Sequence, residues 1–373
     1  AAPMNIWAPD APLSGFYGQT VREIVRLSLG GDGIVLRLSN EHGSSPVHLD
    51  SVELARAGEN GRIEPLTTRS VTFGKSLSAV IHPGSPLLSD PIDIEVGPLT
   101  RLAITYYSSG FIPVETHHFE AQQTTYISAP GNFGEMIVQQ TTTSHYLLSA
   151  VYTRPAKNAN AVICFGDSIT DGYGSSIDAD RRWPDILAER LIDAGRRTAV
   201  LNQGIGGNRL LHSCRGSRAL ERFDRDVLSF QGVTHLILLE GINDIIWPST
   251  VLASDSQAVT AAEIIDGMRQ LIARARMAGI KVMLGTIMPC EGALPEFPRG
   301  NYHTPEKERI RQAVNQFIRE ESGADAIVDF DAVMRDPSHP ARLLPVYDCG
   351  DHIHPNDAGY RAMAEAIDLA FLR

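Results

Sequence analysis

Apolar and polar residues alternate along the first half of the chain. Ile34, Leu36 and Leu38 are separated by single intervening positions, and the same period of two recurs over residues 92–96 and 102–106. This period is typical of strands that bury one face, and glycine- and proline-rich turns separate the segments. The pattern therefore predicts about eight strands in an all-β sandwich of the jelly-roll kind.

Strand and helix patterns alternate in the second half. Apolar residues spaced three or four apart, such as Trp183, Leu187 and Leu191, predict helices. Thr260 and Glu263 form a capping box that marks the start of another helix. Strands alternating with helices predict a parallel sheet in a three-layer α/β/α sandwich. The five predicted strands are 161–165, 198–201, 235–239, 281–286 and 326–330.

The pattern changes at the polar stretch 153–158, which predicts two domains: a β-sandwich domain at 1–155 and an α/β domain at 156–373. A chain of 373 residues with 43% hydrophobic residues can bury two cores. Its net charge of −11 argues against nucleic acid and anionic membrane surfaces as partners. No apolar run approaches the roughly 18 residues of a membrane span. The oligomeric state stays open.

Four cysteines are too few for a disulfide scaffold. Cys164 is predicted to be a buried thiol in a strand, and a bridge between Cys290 and Cys349 stays open beside the interpretation that all are free thiols. The chain begins at Ala1, which suits a processed secretory protein and equally a trimmed chain. The compartment stays open, with an extracellular or periplasmic location favoured over a cytoplasmic one.

Four short polar or glycine-rich segments follow predicted strands. Residues 166–170 (Gly-Asp-Ser-Ile-Thr) follow the first strand, residues 204–208 the second and residues 241–244 (Gly-Ile-Asn-Asp) the third. Residues 351–355 (Asp-His-Ile-His-Pro) come after the fifth. Ligands of such sheets bind outside the carboxyl ends of the strands. We therefore expect the four segments to meet at one edge of the sheet.

These segments contain the groups that ester hydrolysis needs. Serine is a poor nucleophile unless a base takes its proton, and a carboxylate fixes the tautomer of that base. We assign Ser168 as the nucleophile, His354 as the base and Asp351 as the carboxylate. The oxyanion that forms also needs hydrogen-bond donors. We assign these to the backbone amides of Ser168 and Gly207 and the side chain of Asn243.

Other interpretations of the same residues are weaker. His352 and His354 could be metal ligands, but no second cluster with ligand spacing accompanies them. Residues 204–207 lack the spacing of a dinucleotide-binding loop, and the absence of a Gly-x-Ser-x-Gly motif argues against an ordinary α/β-hydrolase. We expect no cofactor and no metal. A carbohydrate-binding protein that carries a disused hydrolase is the alternative from another functional class.

Together the four segments resemble the SGNH (GDSL) hydrolase superfamily, in the same order and with the usual spacing, over about residues 159–373. The resemblance implies a flavodoxin-like SGNH fold and a serine esterase mechanism. Its four signature residues match Ser168, Gly207, Asn243 and His354, with Asp351 completing the triad. Gly204 and Gly206 stay open as alternatives to Gly207.

The β-rich half is similar to the N-terminal domain of some bacterial GDSL esterases, including ones similar to xylan or other carbohydrate esterases. The resemblance implies a short-chain acyl esterase acting on small esters or acylated saccharides. The Pro-rich segment 289–298 favours a stiff loop and a shallow pocket over a mobile apolar lid. A lipase or lysophospholipase of longer acyl preference is the alternative within the enzymes.

Overall fold

The computed structural model describes residues 2–5, 13–131, 136–154, 158–254, 258–297 and 300–373. The chain forms two compact units, one of Ala1–Ala159 with Ile177–Ala179 and one of Asn160–Ser176 with Asp180–Arg373. The predicted boundary between residues 155 and 156 lies outside the described residues, as does Pro298. No helix in the described ranges is long and apolar enough to cross a membrane.

The first unit is built from antiparallel strands. They are β1 (Met4–Asn5), β2 (Gly15–Tyr17), β3 (Gln19–Arg26), β4 (Asp32–Ser39), β5 (Val47–Leu49), β6 (Ser51–Arg56), β7 (Arg69–Ser70), β8 (Ala79–Ile81), β9 (Pro86–Leu88), β10 (Arg101–Tyr107), β11 (Phe111–Pro113), β12 (Thr116–His117), β13 (Thr125–Pro130), β14 (Val138–Thr142) and β15 (Leu148–Arg154). Six of them form a sheet in the order β14-β13-β3-β10-β6-β7, and three form a sheet in the order β15-β4-β9. The antiparallel pairing confirms the predicted β-rich half.

The inward faces of these two sheets share one apolar core. Ile34, Leu36 and Leu38 on β4 are fully buried, as their alternation predicts, and belong to the same cluster as Leu102 and Ile104 on β10. Burying each such side chain stabilises the unit by about 1.5–3 kcal/mol. Two antiparallel sheets around one core make a β-sandwich.

The second unit is a parallel sheet with helices. Its strands and helices are β16 (Asn160–Gly166), α1 (Ser168–Asp171), α2 (Trp183–Asp193), β17 (Thr198–Gly204), α3 (Ala219–Phe223), β18 (Val233–Leu239), α4 (Ile242–Ile246), α5 (Ala261–Met277), β19 (Lys281–Gly285), α6 (Pro305–Glu320), β20 (Ala326–Val328), α7 (Phe330–Met334), β21 (Arg335–Asp336), β22 (His339–Leu343) and α8 (Asp357–Ala366). The five parallel strands lie in the order β17-β16-β18-β19-β20. This is the flavodoxin-like order, and it confirms the predicted fold class.

Local sequence signals explain where these helices begin. The capping box at the start of α5 is present: the Thr260 amide donates to the Glu263 carboxylate at 2.7 Å, and the Glu263 amide donates to the Thr260 hydroxyl at 3.3 Å. At α8, the Asn356 side chain accepts a hydrogen bond from the Gly359 amide at 3.0 Å. Each bond satisfies a donor that the first helical turn leaves unpaired.

Several predicted strand boundaries differ from the structure by one to three residues. The fifth strand ends at Val328 rather than at Phe330, because the Asp329 side chain accepts from the Ala332 amide at 3.1 Å and starts α7. Phe330 is buried in that helix, as is Val328 two residues before it, so the period of two continues across the boundary and cannot reveal the change of element. All four cysteines are free thiols, and Cys164 is buried.

Candidate active site

Ser168 lies on a tight helical turn that follows β16, an interior strand of the parallel sheet. Asp167 precedes the turn, and its side chain accepts a hydrogen bond from the Ile169 amide at 3.0 Å. Gly172 ends the turn with φ +109, a left-handed conformation that side chains with a Cβ disfavour. The turn therefore holds the serine hydroxyl at the carboxyl edge of the sheet.

Ser168, His354 and Asp351 form a continuous hydrogen-bonded chain. Ser168 Oγ lies 2.7 Å from His354 Nε2, and His354 Nδ1 lies 2.5 Å from Asp351 Oδ2. The other oxygen of Asp351 accepts from the amides of Ile353 at 3.1 Å and His354 at 2.9 Å. Ser168 and His354 are only 6% and 8% exposed. The carboxylate therefore fixes both the ring and the loop that carries it.

The environment of Asp351 favours its charged form. Burial opposes ionisation, but the hydrogen bond and charge of His354 and the two loop amides outweigh it and lower the pKa of Asp351 to about 2. The carboxylate therefore stays ionised at neutral pH and can accept a hydrogen bond from Nδ1–H of His354.

The glycine segment after β17 presents one amide without a partner. Gly204 donates its amide to Asn202 Oδ1 at 2.9 Å, and Gly206 donates its amide to Asp171 Oδ2 at 3.0 Å. The Gly207 amide has no hydrogen-bond partner among the described residues, and the residue adopts φ +71. A Cβ on Gly207 would lie 2.5 Å from the Trp247 ring, so a larger residue does not fit. Of the three glycines, Gly207 is the one whose amide remains available.

Asn243 lies in the first turn of α4, after β18. It is buried, and its Nδ2 donates to the Asn208 carbonyl at 2.9 Å. A side-chain amide carries two hydrogens, so this bond anchors the group and leaves one donor. Asn208 in turn accepts from Arg222 Nε at 2.9 Å and donates to the carbonyl of Ser217 at 2.9 Å. The segments after β17 and β18 therefore hold each other in place.

Aromatic side chains complete this edge of the sheet, and the sequence pattern did not identify them. The rings of Tyr173 and His354 lie 4.6 Å apart between centroids, and the carbonyl of Tyr173 accepts from the Tyr360 hydroxyl at 2.6 Å. Trp247 packs against Gly207. Both residues follow short helical turns in polar loops, where no periodic signal marks an aromatic residue as part of a site.

The loop of Asp351 contains a second Asp–His pair. His352 Nδ1 lies 2.6 Å from Asp348 Oδ2, and Asp348 also accepts from the amides of Gly350 and His352. The side chain of His352 is 49% exposed, and no hydrogen bond joins it to Ser168. Of the two histidines, only His354 contacts the serine.

One group within the described ranges brings three potential metal ligands together: Asp348, Cys349 and Asp351, whose ligand atoms lie within 4.8 Å of one another. Both carboxylates already accept hydrogen bonds from histidine rings. Burial and the neighbouring Asp351 raise the pKa of the Cys349 thiol to about 12, which disfavours the thiolate that metals prefer. The hydrogen bonds within the loop explain why these three side chains lie close together.

Comparisons with known proteins place this arrangement in a family. A model of the GDSL-like lipase/acylhydrolase family matches residues 164–362, more than half of the chain. A comparison with curated proteins found no match.

Solved structures resemble the chain over part of its length. A GDSL-like lipase from Bacteroides thetaiotaomicron is 22% identical, with 59% of this chain and 92% of that chain covered and a TM-score of 0.44. Est24, a carbohydrate acetylesterase from Sinorhizobium meliloti, is 18% identical, with 57% and 100% covered and a TM-score of 0.43. The aryl esterase of M. smegmatis is 20% identical, with 56% and 96% covered and a TM-score of 0.42. On the match of the family model, this chain belongs to the GDSL-like lipase/acylhydrolase family and is a carboxylic ester hydrolase.

Proposed function

We propose that the protein hydrolyses short-chain acyl esters, acetylated carbohydrates among them, through a Ser168–His354–Asp351 triad and an acyl-enzyme intermediate. The observation that carries the proposal is the chain of two short hydrogen bonds from Ser168 Oγ through the imidazole to Asp351. Such a chain activates a serine hydroxyl, which on its own is a weak nucleophile at neutral pH.

The reaction has two halves. In the first, Ser168 Oγ attacks the ester carbonyl carbon while His354 Nε2 accepts the hydroxyl proton, and the carbonyl oxygen becomes an oxyanion. The tetrahedral intermediate then collapses: the bond to the alcohol breaks, and His354 gives its proton to the departing alcohol. In the second half, a water molecule attacks the acyl carbon while His354 Nε2 accepts one of its protons. The bond between the acyl carbon and Ser168 Oγ then breaks, His354 returns the proton to Ser168 Oγ, and the acid is released. Asp351 stays ionised throughout and stabilises the imidazolium.

Three donors are available for the oxyanion. The amides of Ser168 and Gly207 have no hydrogen-bond partner within the described ranges, and Asn243 keeps one Nδ2 hydrogen after bonding to Asn208. Preorganised donors of this kind supply much of the rate enhancement in acyl transfer because they do not reorganise during the reaction. Gly207 also lets the backbone approach the substrate closely.

The loop of residues 289–297 supports a preference for small acyl groups. The Leu294 amide donates to the Asp351 carbonyl at 2.9 Å, and the Glu291 amide donates to the Ala341 carbonyl at 2.8 Å. Ala293 and Leu294 are buried rather than exposed as an apolar flap. A loop fixed in this way leaves a shallow site, and each methylene that cannot be buried forfeits about 0.8 kcal/mol.

Turnover of p-nitrophenyl esters from acetate to octanoate, together with acetylated xylo-oligosaccharides, tests the proposal. We expect kcat/KM to decrease with acyl length, Ser168→Ala to be inactive, and an organophosphate probe to label Ser168 alone. A steady increase with chain length would establish the lipase alternative instead. An absence of both labelling and turnover would favour the non-catalytic carbohydrate-binding alternative.

A further inference from the structure

Two buried carboxyl groups lie side by side beneath the turn that carries Ser168. Gly166 on β16 pairs with Leu239 on β18, so the next residues, Asp167 and Glu240, occupy equivalent positions at the ends of neighbouring strands. Such strands lie about 4.8 Å apart. Asp167 and Glu240 are each only 1% exposed.

These two carboxyl groups differ in their hydrogen bonds. Asp167 accepts from the Ile169 amide and leaves Oδ2 without a partner, whereas neither oxygen of Glu240 has a partner among the described residues. The nearest cation, Arg222, is itself fully buried, and it donates to the Gly166 carbonyl and to Asp226 rather than to either carboxyl group. Within the described part of the chain, no direct ion pair therefore offsets a charge on Glu240.

The charged groups around the pair come from several elements. Arg222 faces both carboxyl groups from α3, Asp244 faces both from α4, and His354 faces Asp167 from the triad loop. Two neighbouring anions that are both buried from solvent repel each other strongly, and each would also lose its hydration. One of the two groups must therefore hold a proton at neutral pH.

We propose that Glu240 holds this proton and leaves Asp167 as the single anion that caps the turn of Ser168 and faces His354. Asp167 accepts an amide hydrogen bond, which favours its ionised form, and Glu240 accepts none. The assignment makes Glu240 a positioning residue and rests on the proposed function, in which Ser168 is the nucleophile.

The electrostatic environment agrees with this order of ionisation. Burial raises the pKa of Glu240 well above its usual value, and the charge of Asp167 raises it further. Burial also raises the pKa of Asp167, to about 7, but the Ile169 amide and the charge of His354 oppose that rise. When the pH is raised, Asp167 therefore loses its proton before Glu240 does.

Infrared spectroscopy of the full chain tests where the proton lies. At about pH 8, Asp167 and Asp244 are largely ionised, because their pKa values are about 7 and about 6. We expect wild type to retain the C=O stretch of a protonated carboxylic acid. Glu240→Gln should remove it, and Asp167→Asn should keep it. Glu23→Gln is the matched control: among the described residues, Glu23 is a second fully buried glutamate with a raised pKa, so this variant shows which part of the signal belongs to Glu23.

Kinetics test the positioning role. Glu240→Gln should retain at least about a third of kcat, whereas Glu240→Ala should lose about tenfold or more with little change in KM, because small displacements of reacting groups are costly. Equal losses in both variants would mean that Glu240 acts as an anion, and would overturn the proposal. A band that disappears in Asp167→Asn and persists in Glu240→Gln would place the proton on Asp167 and would overturn it as well.

Two further measurements keep these outcomes distinct. If Glu240→Gln does not fold, the band of the Glu23→Gln variant must shift on labelling with ¹³C-glutamate and not with ¹³C-aspartate, because Glu23 would otherwise give the same shift; a shift with aspartate alone refutes the assignment. The spectrum needs no turnover, so Ser168→Ala must show the same band. If Ser168→Ala were active, the proposed function would be contradicted, but the assignment of the proton to Glu240 would stand.

Discussion

The Oγ atom of Ser168 lies 2.7 Å from Nε2 of His354, although 186 positions separate the two residues in the chain. The serine follows the first strand of the parallel sheet, and the histidine lies in the last loop before α8. Replacing either residue with alanine should reduce kcat to a similar level, because triad residues act as a unit. The double variant should be no slower than the single ones. Circular dichroism checks that each variant folds, and additive losses would contradict a shared role.

His352 provides a matched comparison for His354. Both rings lie beside an aspartate in the same loop, but only His354 reaches Ser168. His352→Ala should therefore keep most of the activity, whereas His354→Ala should lose nearly all of it. Measured kcat values in the opposite order would refute the assignment of the base.

Asn243→Ala should act on kcat and leave KM nearly unchanged. Removing one oxyanion donor typically lowers kcat by about 10²–10³. The buried side chain also holds the Asn208 carbonyl, so thermal unfolding must be followed in parallel. A change confined to KM would assign Asn243 to substrate binding.

His117 should make the protein sensitive to acid. Burial, with the charge of His118 second, lowers the pKa of His117 from 6.5 to about 4. The unfolded chain therefore binds more protons than the folded chain between these values, and stability falls as the pH drops through this window. The loss should reach about 3 kcal/mol. Urea unfolding at several pH values measures it.

A matched pair of variants isolates this histidine. His117→Gln should flatten the dependence of the unfolding free energy on pH, whereas His48→Gln, at an exposed position, should leave it unchanged. An unaltered slope in His117→Gln would assign the acid sensitivity to other groups.

The strands and helices could be predicted because apolar residues recur at regular spacing. Ile34, Leu36 and Leu38 alternate and are buried, and Trp183, Leu187 and Leu191 recur at helical spacing and are buried. Such patterns reflect one buried face, which a sequence records directly. These patterns do not reveal the boundary where a strand gives way to a helix and the buried positions continue, as at Phe330.

Contacts within the site are harder to foresee. The segments that follow the strands can be identified because a parallel sheet collects them at one edge, so Ser168 and His354 could be named as candidates. The adjacency of Asp167 and Glu240 depends on β16 pairing with β18, and the contact of Tyr173 with His354 depends on loop geometry. Neither local propensity nor periodicity encodes such relationships. The catalytic roles of Ser168, Gly207, Asn243, Asp351 and His354 stay predictions, and the variants above address those of Ser168, Asn243 and His354.

The unpartnered Gly207 amide has a consequence for how such an enzyme could lose its activity during evolution. An N–H group of the main chain persists with every residue except proline, so any other substitution can only block this donor or displace it. Because a Cβ at Gly207 would strike Trp247, the damaging changes are those that add atoms. Homologues that have become inactive should therefore show a bulky residue at this position or a replaced Ser168, Asn243 or His354. A survey of natural variants could separate these two routes.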